Sequence, residues 1–155
     1  MNVTLAIDYG SARVGVAASG GWMARPLKVL PHGSLSSLID RLLRLAKEEM
    51  ATQFLVGLPV NADGSEGEQA ARVRVFAGEL AERSPLPVLL WSEYGSSKNA
   101  QQQMIAANTR RKSRRQKLDA IAAAVFLQEF IENSNKQVER VFPKISEQES
   151  LINKQ

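Results

Sequence analysis

Cysteine is absent from the sequence, and histidine occurs once, at His32. The lack of cysteine excludes disulfides, thiolate zinc sites and cysteine nucleophiles. His32 lies between Pro31 and Gly33, a context typical of a solvent-exposed surface turn, so histidine-based catalysis is not expected. Any bound metal must then be held by oxygen ligands, which favours hard cations such as Mg²⁺ or Mn²⁺.

Long apolar runs are also missing, since no segment approaches the roughly 20 residues needed to cross a bilayer. The chain enters an apolar strand pattern almost at once, without a signal-peptide pattern. We therefore expect a cytoplasmic protein without membrane contact, or one in an organelle matrix such as the chloroplast stroma if a targeting segment is missing from this chain.

The 155 residues, of which 44% are hydrophobic, suffice for one well-formed core and are too few for two ordinary domains. Periodicity is lost after Asn133, where the chain becomes polar. We predict one domain over residues 1–133 and a loosely ordered tail over 134–155, in which Val138, Val141 and Phe142 could dock a short piece. The chain is expected to be a monomer or a weak homodimer.

Apolar periodicity predicts an α/β fold with a mixed sheet and helices on both faces. Three antiparallel strands come first and two parallel strands follow. The predicted strands are a hairpin over residues 5–18, then 22–30, 53–58 and 88–91. The predicted helices are 36–50, 66–83, 98–108 and 118–131.

Asp8 ends the apolar run of the first strand, just before the turn at Gly10 and Ser11. An unpaired carboxylate in a core strand costs several kcal/mol, so a cation or a hydrogen-bond donor is expected opposite it. One interpretation is a metal ligand. The other is an Asx-type turn, in which the side chain accepts from the amide of Gly10 or Ser11.

Two further acids occupy comparable positions. Glu93 follows a predicted strand, and sites in α/β sheets form outside the carboxyl ends of strands. Asp119 lies in the first predicted turn of the last helix, where the helix dipole alone would favour an acid, but that helix is largely apolar and Ala122 to Ala124 allow a close approach to the sheet. Three carboxylates at one edge would repel each other unless cations lay between them, and two such ions about 4 Å apart support phosphodiester hydrolysis.

Positive charge is concentrated directly before Asp119. Six cations fall within the eight residues 110–117, in a segment predicted to be a loop. Such a dense run can be a solvated loop, but beside an apolar helix it favours salt-sensitive binding of nucleic acid.

The motifs together resemble the YqgF family, Holliday-junction-resolvase-like proteins also described as pre-16S rRNA nucleases, which have a ribonuclease H-like fold. The resemblance covers residues 5–133. It is carried by I-D-Y-G-S-A-R-V-G-V-A at 7–17, V-G-L-P at 56–59 with the following D-G at 63–64, and L-D-A-I-A-A at 118–123.

This resemblance implies a metal-dependent nuclease acting on structured nucleic acid, either pre-rRNA or branched DNA, with 5′-end maturation of small-subunit pre-rRNA as the favoured role. Carried over by position, the catalytic and metal-binding residues are Asp8, Glu93 and Asp119, with Mg²⁺ or Mn²⁺ as the ion. The nucleic-acid-binding residues predicted are Arg13, Lys98, Arg110, Arg111, Lys112, Arg114, Arg115 and Lys117.

One departure from the family pattern concerns Glu93. The family shows an acid-Glu-Arg triplet, whereas this chain has Ser92, Glu93 and Tyr94. Loss of the arginine removes a bidentate phosphate contact. An alternative is thus an RNA-binding ribosome-biogenesis factor with a weakened site, and another is a Holliday-junction resolvase. A further alternative, an actin-like ATPase phosphate loop, would require two domains.

Asp63, in the loop after the 53–58 strand, is a candidate fourth acid, although Asp-Gly is also the ordinary residue pair of a tight turn.

Overall fold

The computed structural model describes residues 2–93, 111–133 and 138–143, together with the side chains of these residues except those of 111–117. Nine elements follow one another along these ranges. They are β1 (Thr4–Tyr9), β2 (Arg13–Ser19), β3 (Ala24–Pro31), α1 (Leu35–Glu48), β4 (Gln53–Pro59), α2 (Glu68–Arg83), β5 (Val88–Glu93), α3 (Arg111–Glu132) and β6 (Glu139–Val141). None of the helices in these ranges combines the length and apolar character needed to cross a bilayer.

The strands form one six-stranded sheet in the order β3-β2-β1-β4-β5-β6. β1, β2 and β3 pair antiparallel, whereas β1 with β4 and β4 with β5 pair parallel. β1 therefore lies at the centre, where the antiparallel half meets the parallel half. The carboxyl ends of β1, β4 and β5 share one edge of the sheet, as the predicted mixed sheet requires.

One face of the sheet is covered by α1 and α2. The apolar residues of α1 recur at helical spacing and are buried: Leu38, Ile39, Leu42, Leu45 and Ala46. Ser34 caps this helix, since its hydroxyl oxygen accepts a hydrogen bond from the Ser37 amide at 3.2 Å. Val73, Phe76 and Leu80 of α2 join the same cluster. Together they bury the alternate apolar residues of the central strands on this face.

α3 covers the other face of the sheet. Ala123, Phe126 and Leu127 of α3 pack in one cluster with Ala6 of β1 and Ala17 of β2, and with Leu55 and Trp91 further along the sheet. The prediction of helices on both faces is confirmed. The small residues of β1 and β2 on this face let α3 lie close to the sheet.

The predicted loop at the basic segment and the predicted first-turn position of Asp119 are both wrong. α3 begins at Arg111, so the described part of the basic segment is helical rather than a loop, and Asp119 lies eight residues into the helix instead of in its first turn. Arginine, lysine and glutamine are good helix formers, and no glycine or proline interrupts residues 111–118. The charge pattern suggested a loop, but charge alone does not stop a helix.

The piece of the tail that was expected to dock contains a strand, and Val138 and Val141 pack against the core while Phe142 is exposed. β6 pairs antiparallel with β5, with Val141 opposite Val88. Arg74 of α2 links β6 to the rest of the domain through an ion pair, because its Nη1 lies 2.6 Å from Glu139 Oε2. Its Nε also lies 2.6 Å from Glu66 Oε1. A three-residue edge strand is too short to show a period-2 pattern in the sequence. The predicted helix 98–108 lies outside the described residues.

Candidate active site

Asp8 faces α3. Side chains alternate between the two faces of a strand, and Ala6 packs in the α3 cluster while Leu5 and Ile7 pack against α1 and α2. Asp8 therefore lies on the same face as Ala6, at the carboxyl end of the central strand. The adjoining turn is closed by the Gly10 amide, which donates to the Arg13 carbonyl at 3.0 Å. The Gly10 amide is therefore not available to the Asp8 side chain, which removes one of the two donors considered in the Asx-turn interpretation.

Glu93 reaches the same face from β5, which ends at this residue. Trp91 packs in the α3 cluster, so alternation puts Glu93 on that side. A Cβ added at Gly57 would lie 3.0 Å from Glu93 Oε2 and 2.9 Å from Phe126 Cε1. The Glu93 carboxyl therefore lies over Gly57 of β4, whose neighbour Val56 pairs with Ile7 of β1. The absence of a side chain at Gly57 leaves room for this carboxyl beneath α3.

Asp119 is brought to this edge by the contact of α3 with β2. A Cβ at Gly15 would lie 1.9 Å from the Asp119 carbonyl oxygen and 2.6 Å from the Ala120 amide nitrogen. Gly15 is the cross-strand partner of Asp8. Only glycine permits this approach, and the approach puts Asp119 beside Asp8.

Arg13, the first residue of β2, pairs with Asp119. Arg13 Nε lies 3.1 Å from Asp119 Oδ2, and the arginine side chain is 49% exposed. The ion pair lacks the geometry of a hydrogen bond, and Asp119 Oδ2 is buried without a hydrogen-bond partner among the described residues. A buried carboxylate oxygen in this state is available to an additional cation.

Asp8, Glu93 and Asp119 are here named the acid row, and burial together with neighbouring negative charge raises the pKa of Asp8 and of Glu93. Burial raises the pKa of Asp8 to about 6, with the charge of Asp119 adding to the effect. Burial also raises the pKa of Glu93 to about 8, reinforced by the charges of Asp8 and Glu129. Asp8 thus interacts with both other members of the row. The deprotonated row is unfavourable by itself and would be stabilised by cations.

The acid row is extended rather than closed. Within residues 2–93, 111–133 and 138–143, no three His, Cys, Asp or Glu side chains are close enough together to hold one metal ion. The structure brings Asp8, Glu93 and Asp119 to one edge with Asp8 in the middle, but it does not form a ready three-ligand cage. Glu129 of α3, whose charge contributes to the raised pKa of Glu93, was not predicted as part of the site, and no motif in the sequence marks it.

Replacing Glu93 with glutamine is expected to stabilise the metal-free protein at alkaline pH. Because the pKa of Glu93 is raised to about 8 on folding, its favourable contribution is complete below its unfolded pKa of about 4.5 and is lost as pH rises through 8. At pH 9 the gain in unfolding free energy is expected to be on the order of a few kcal/mol, and near pH 4 it should vanish. Thermal unfolding in EDTA at both pH values measures the difference.

The matched control for Glu93→Gln is Glu48→Gln on the exposed surface of α1, which should leave the unfolding temperature nearly unchanged at both pH values. A Glu93→Gln stabilisation of equal size at pH 4 and pH 9 would show that the buried charge is not its cause.

The other predicted residues have different outcomes. Lys98 and Arg110 lie outside the described residues, as does Tyr94. The basic residues Arg111, Lys112, Arg114, Arg115 and Lys117 have only their backbone described, in the first two turns of α3. The exposed Asp63 accepts hydrogen bonds from the Ser65 amide and hydroxyl at 2.9 and 2.6 Å, and these bonds lower its pKa. Asp63 thus has the role of a turn residue.

His32 is partly buried instead of free in solvent, contrary to the prediction. Its Nε2 lies 2.7 Å from the Tyr9 hydroxyl, and its ring is tilted against the Tyr9 ring with centroids 4.8 Å apart. His32 lies in the connection between β3 and α1, beside Gly33 with a φ of 55°, and its amide donates to the Ala12 carbonyl at 3.1 Å. A contact with a residue 23 positions earlier has no local signal in the sequence.

The fold is shared with solved structures of low sequence identity. A Thermus thermophilus RuvC structure in complex with a Holliday junction substrate aligns with a TM-score of 0.56 at 16% identity, covering 91% of this chain and 100% of that chain. A second RuvC structure from the same organism aligns at 0.54 and 17% identity, covering 88% and 99%. These similarities confirm the predicted ribonuclease H-like sheet.

Sequence relatives give the family. A protein of Pelotomaculum thermopropionicum named "Putative pre-16S rRNA nuclease" is 36% identical over 135 residues, which is 85% of this chain and 88% of that protein. One of the same name from Desulforamulus reducens is 32% identical over 134 residues, covering 85% and 98%. Residues 2–133 match the family described as RuvX, Holliday junction resolvase. The chain therefore belongs to the RuvX (YqgF) family.

Proposed function

We propose that this chain is a metal-dependent nuclease that hydrolyses phosphodiester bonds in structured nucleic acid, with pre-16S rRNA as its substrate and 5′-end maturation as its role. The observation that carries this proposal is the acid row, because three acids from separate elements are crowded at the carboxyl edge of the sheet with raised pKa values at Asp8 and Glu93. The names of the relatives support RNA over branched DNA.

The residues of the acid row suit Mg²⁺ or Mn²⁺. All three supply oxygen ligands, and Asp119 Oδ2 is buried without a hydrogen-bond partner among the described residues. Such ions, if bound there, would supply an activated water molecule and stabilisation of the leaving oxygen of a phosphodiester. Asp8, Glu93 and Asp119 would hold the ions through their carboxylate oxygens. Arg13 balances part of the charge on Asp119.

Substrate binding is assigned to the start of α3 and to Arg13. Arg111 lies eight residues before Asp119, which at 1.5 Å per residue is about 12 Å along the helix axis. We assign the cations of this stretch to phosphates on one side of the cleaved bond. Such binding should weaken steeply with salt concentration.

The position of Ser92 argues against the alternative of a catalytically weakened site. Leu90 packs against α1 and α2, so alternation puts Ser92 on that face, opposite the acid row. An acid at this position would not join the row, and its replacement by serine removes no ligand from the row.

The function is tested by incubating the purified protein with a 5′-extended pre-16S rRNA fragment and with a four-way DNA junction, each in Mg²⁺, Mn²⁺ or EDTA. We expect cleavage of the RNA in either metal and none in EDTA. Faster cleavage of the junction would favour the resolvase alternative. Salt-sensitive RNA binding without cleavage in any metal would contradict the proposal and favour the RNA-binding factor.

A further inference from the structure

A pocket opens at the same edge of the sheet, on the face opposite the acid row. It has a volume of about 520 Å³, within the range of ligand sites, and its polar lining includes Tyr9, His32, Gln69 and Arg72. Tyr9 directly follows Asp8 in β1, so the two side chains leave the same strand end in opposite directions. A nucleic-acid strand that crosses this edge would contact both sites.

Tyr9 forms the floor of the pocket and is held in place by three contacts. The Tyr9 ring stacks on the buried Phe76 ring, with centroids 4.3 Å apart and planes 6° from parallel. Gln69 Nε2 donates to the Tyr9 carbonyl at 2.9 Å. His32 Nε2 lies 2.7 Å from the Tyr9 hydroxyl. The pocket is therefore formed before any ligand binds, which lowers the entropic cost of binding.

The hydrogen-bonding state of Tyr9 follows from the His32 tautomer. His32 Nδ1 lies 3.1 Å from the Gly33 carbonyl oxygen, which can only accept, so Nδ1 carries a proton. In the neutral imidazole Nε2 then accepts, and the Tyr9 hydroxyl donates to it. The Tyr9 oxygen keeps lone pairs for a donor such as a nucleobase N–H.

Arg72 supplies a weakly paired cation on the rim of the pocket. Its Nη2 lies 3.8 Å from Glu68, whose side chain is almost fully exposed, and its Nη1 lies 3.3 Å from Gln69 Oε1. Burial raises the pKa of the Tyr9 hydroxyl, and the charge of Arg72 acts against that effect, so the two groups are close in space. Arg74, two residues later, is instead held by two carboxylates. Arg72 is thus free to bind a phosphate.

We infer that this pocket binds one unpaired nucleotide of the substrate strand. Its base would lie between the apolar wall of Leu35, Ala71 and Val75 and the Tyr9 hydroxyl, with its phosphate on Arg72. The inference rests on the proposed function for the identity of the strand. It assigns Tyr9 and Arg72 to substrate binding on the face that the acid row does not use. A base held here would fix the position of the neighbouring phosphodiester relative to Asp8.

The first test is calorimetric titration of the full chain in EDTA with uridine 5′-monophosphate, uridine and inorganic phosphate. We expect the nucleotide to bind more tightly than either part. Arg72→Ala should weaken nucleotide binding roughly tenfold, since a charge-assisted hydrogen bond is lost. Tyr9→Phe, which keeps the ring stack, should weaken it severalfold. Arg44→Ala on the exposed surface of α1 is the matched control and should bind like the wild type.

Three outcomes would overturn the inference: no nucleotide binding at millimolar concentration, equal binding by Arg72→Ala and the wild type, or phosphate binding as tight as that of the nucleotide. This titration involves no metal and no cleavage, so its result is independent of the nuclease assay.

The second test uses single-stranded oligouridylate bound to the Asp8→Asn protein, with and without the added Arg72→Ala change. A severalfold weaker RNA affinity in the double variant is expected. An unchanged RNA affinity, together with weakened uridine 5′-monophosphate binding, would show a site for free nucleotides and would contradict the assignment to the substrate strand.

Discussion

Asp8→Asn is expected to reduce metal-dependent cleavage of the pre-16S rRNA fragment by roughly 10³-fold or more. Metal stabilisation of a phosphoryl transition state is worth several kcal/mol, and each 1.36 kcal/mol corresponds to a tenfold change in rate. Asp8 lies in the middle of the acid row, so its replacement would remove a carboxylate ligand from the proposed metal site. Initial rates in Mg²⁺ and Mn²⁺ for the variant and the wild type measure the effect.

The fold should survive this substitution. Asparagine has nearly the same shape as aspartate and removes a buried charge whose pKa is raised to about 6, so the metal-free variant should be at least as stable as the wild type at pH 8. Asp63→Asn, in an exposed turn, is the matched control and should retain full cleavage. Equal cleavage by Asp8→Asn and the wild type would exclude Asp8 from the site.

Gly15→Ala is expected to destabilise the protein by about 3 kcal/mol or more. The added Cβ would lie 1.9 Å from the Asp119 carbonyl oxygen and 2.0 Å from its carbonyl carbon, so relief requires moving the α3 backbone away from β2. For a chain of 155 residues such a loss lowers the unfolding temperature by roughly 6–12 °C. Cleavage should also fall in the folded fraction, because Asp119 moves with the helix.

Gly78→Ala provides the matched control for this prediction. Gly78 lies inside α2, and a Cβ there would meet no atom within 4 Å. The same substitution at this position should stabilise the protein by roughly 0.5–1 kcal/mol, because alanine is the better helix former. If Gly15→Ala unfolds at the wild-type temperature, α3 does not lie against β2 at the distance described.

Much of the fold could be predicted because its elements carry strong local patterns. α1 and α2 have apolar residues at helical spacing, and β4 is a short apolar run closed by Pro59. The start of α3 could not be predicted from its charges, because exposed cations are compatible with both a helix and a loop. β6 depends on pairing with β5, which is a tertiary contact that three residues do not encode.

The sequence allowed the residue types of the candidate site to be predicted, but not their arrangement in space. An acid at the end of an apolar strand, as at Asp8 and Glu93, is unusual enough to be noticed in the sequence. The close approach of α3 at Gly15 and the room left by Gly57 depend on strands that are distant in sequence. The same is true of the pairing of His32 with Tyr9, so the pocket on that face had no sequence signal.

Binding of Mn²⁺ to the wild type and to the single variants Asp8→Asn, Glu93→Gln and Asp119→Asn, measured by calorimetry without nucleic acid, tests the acid row most directly. We expect each of the three substitutions to weaken Mn²⁺ binding at least tenfold and Asp63→Asn to leave it unchanged. Mn²⁺ binding that is the same in all four variants as in the wild type would contradict the assignment of the metal site to Asp8, Glu93 and Asp119.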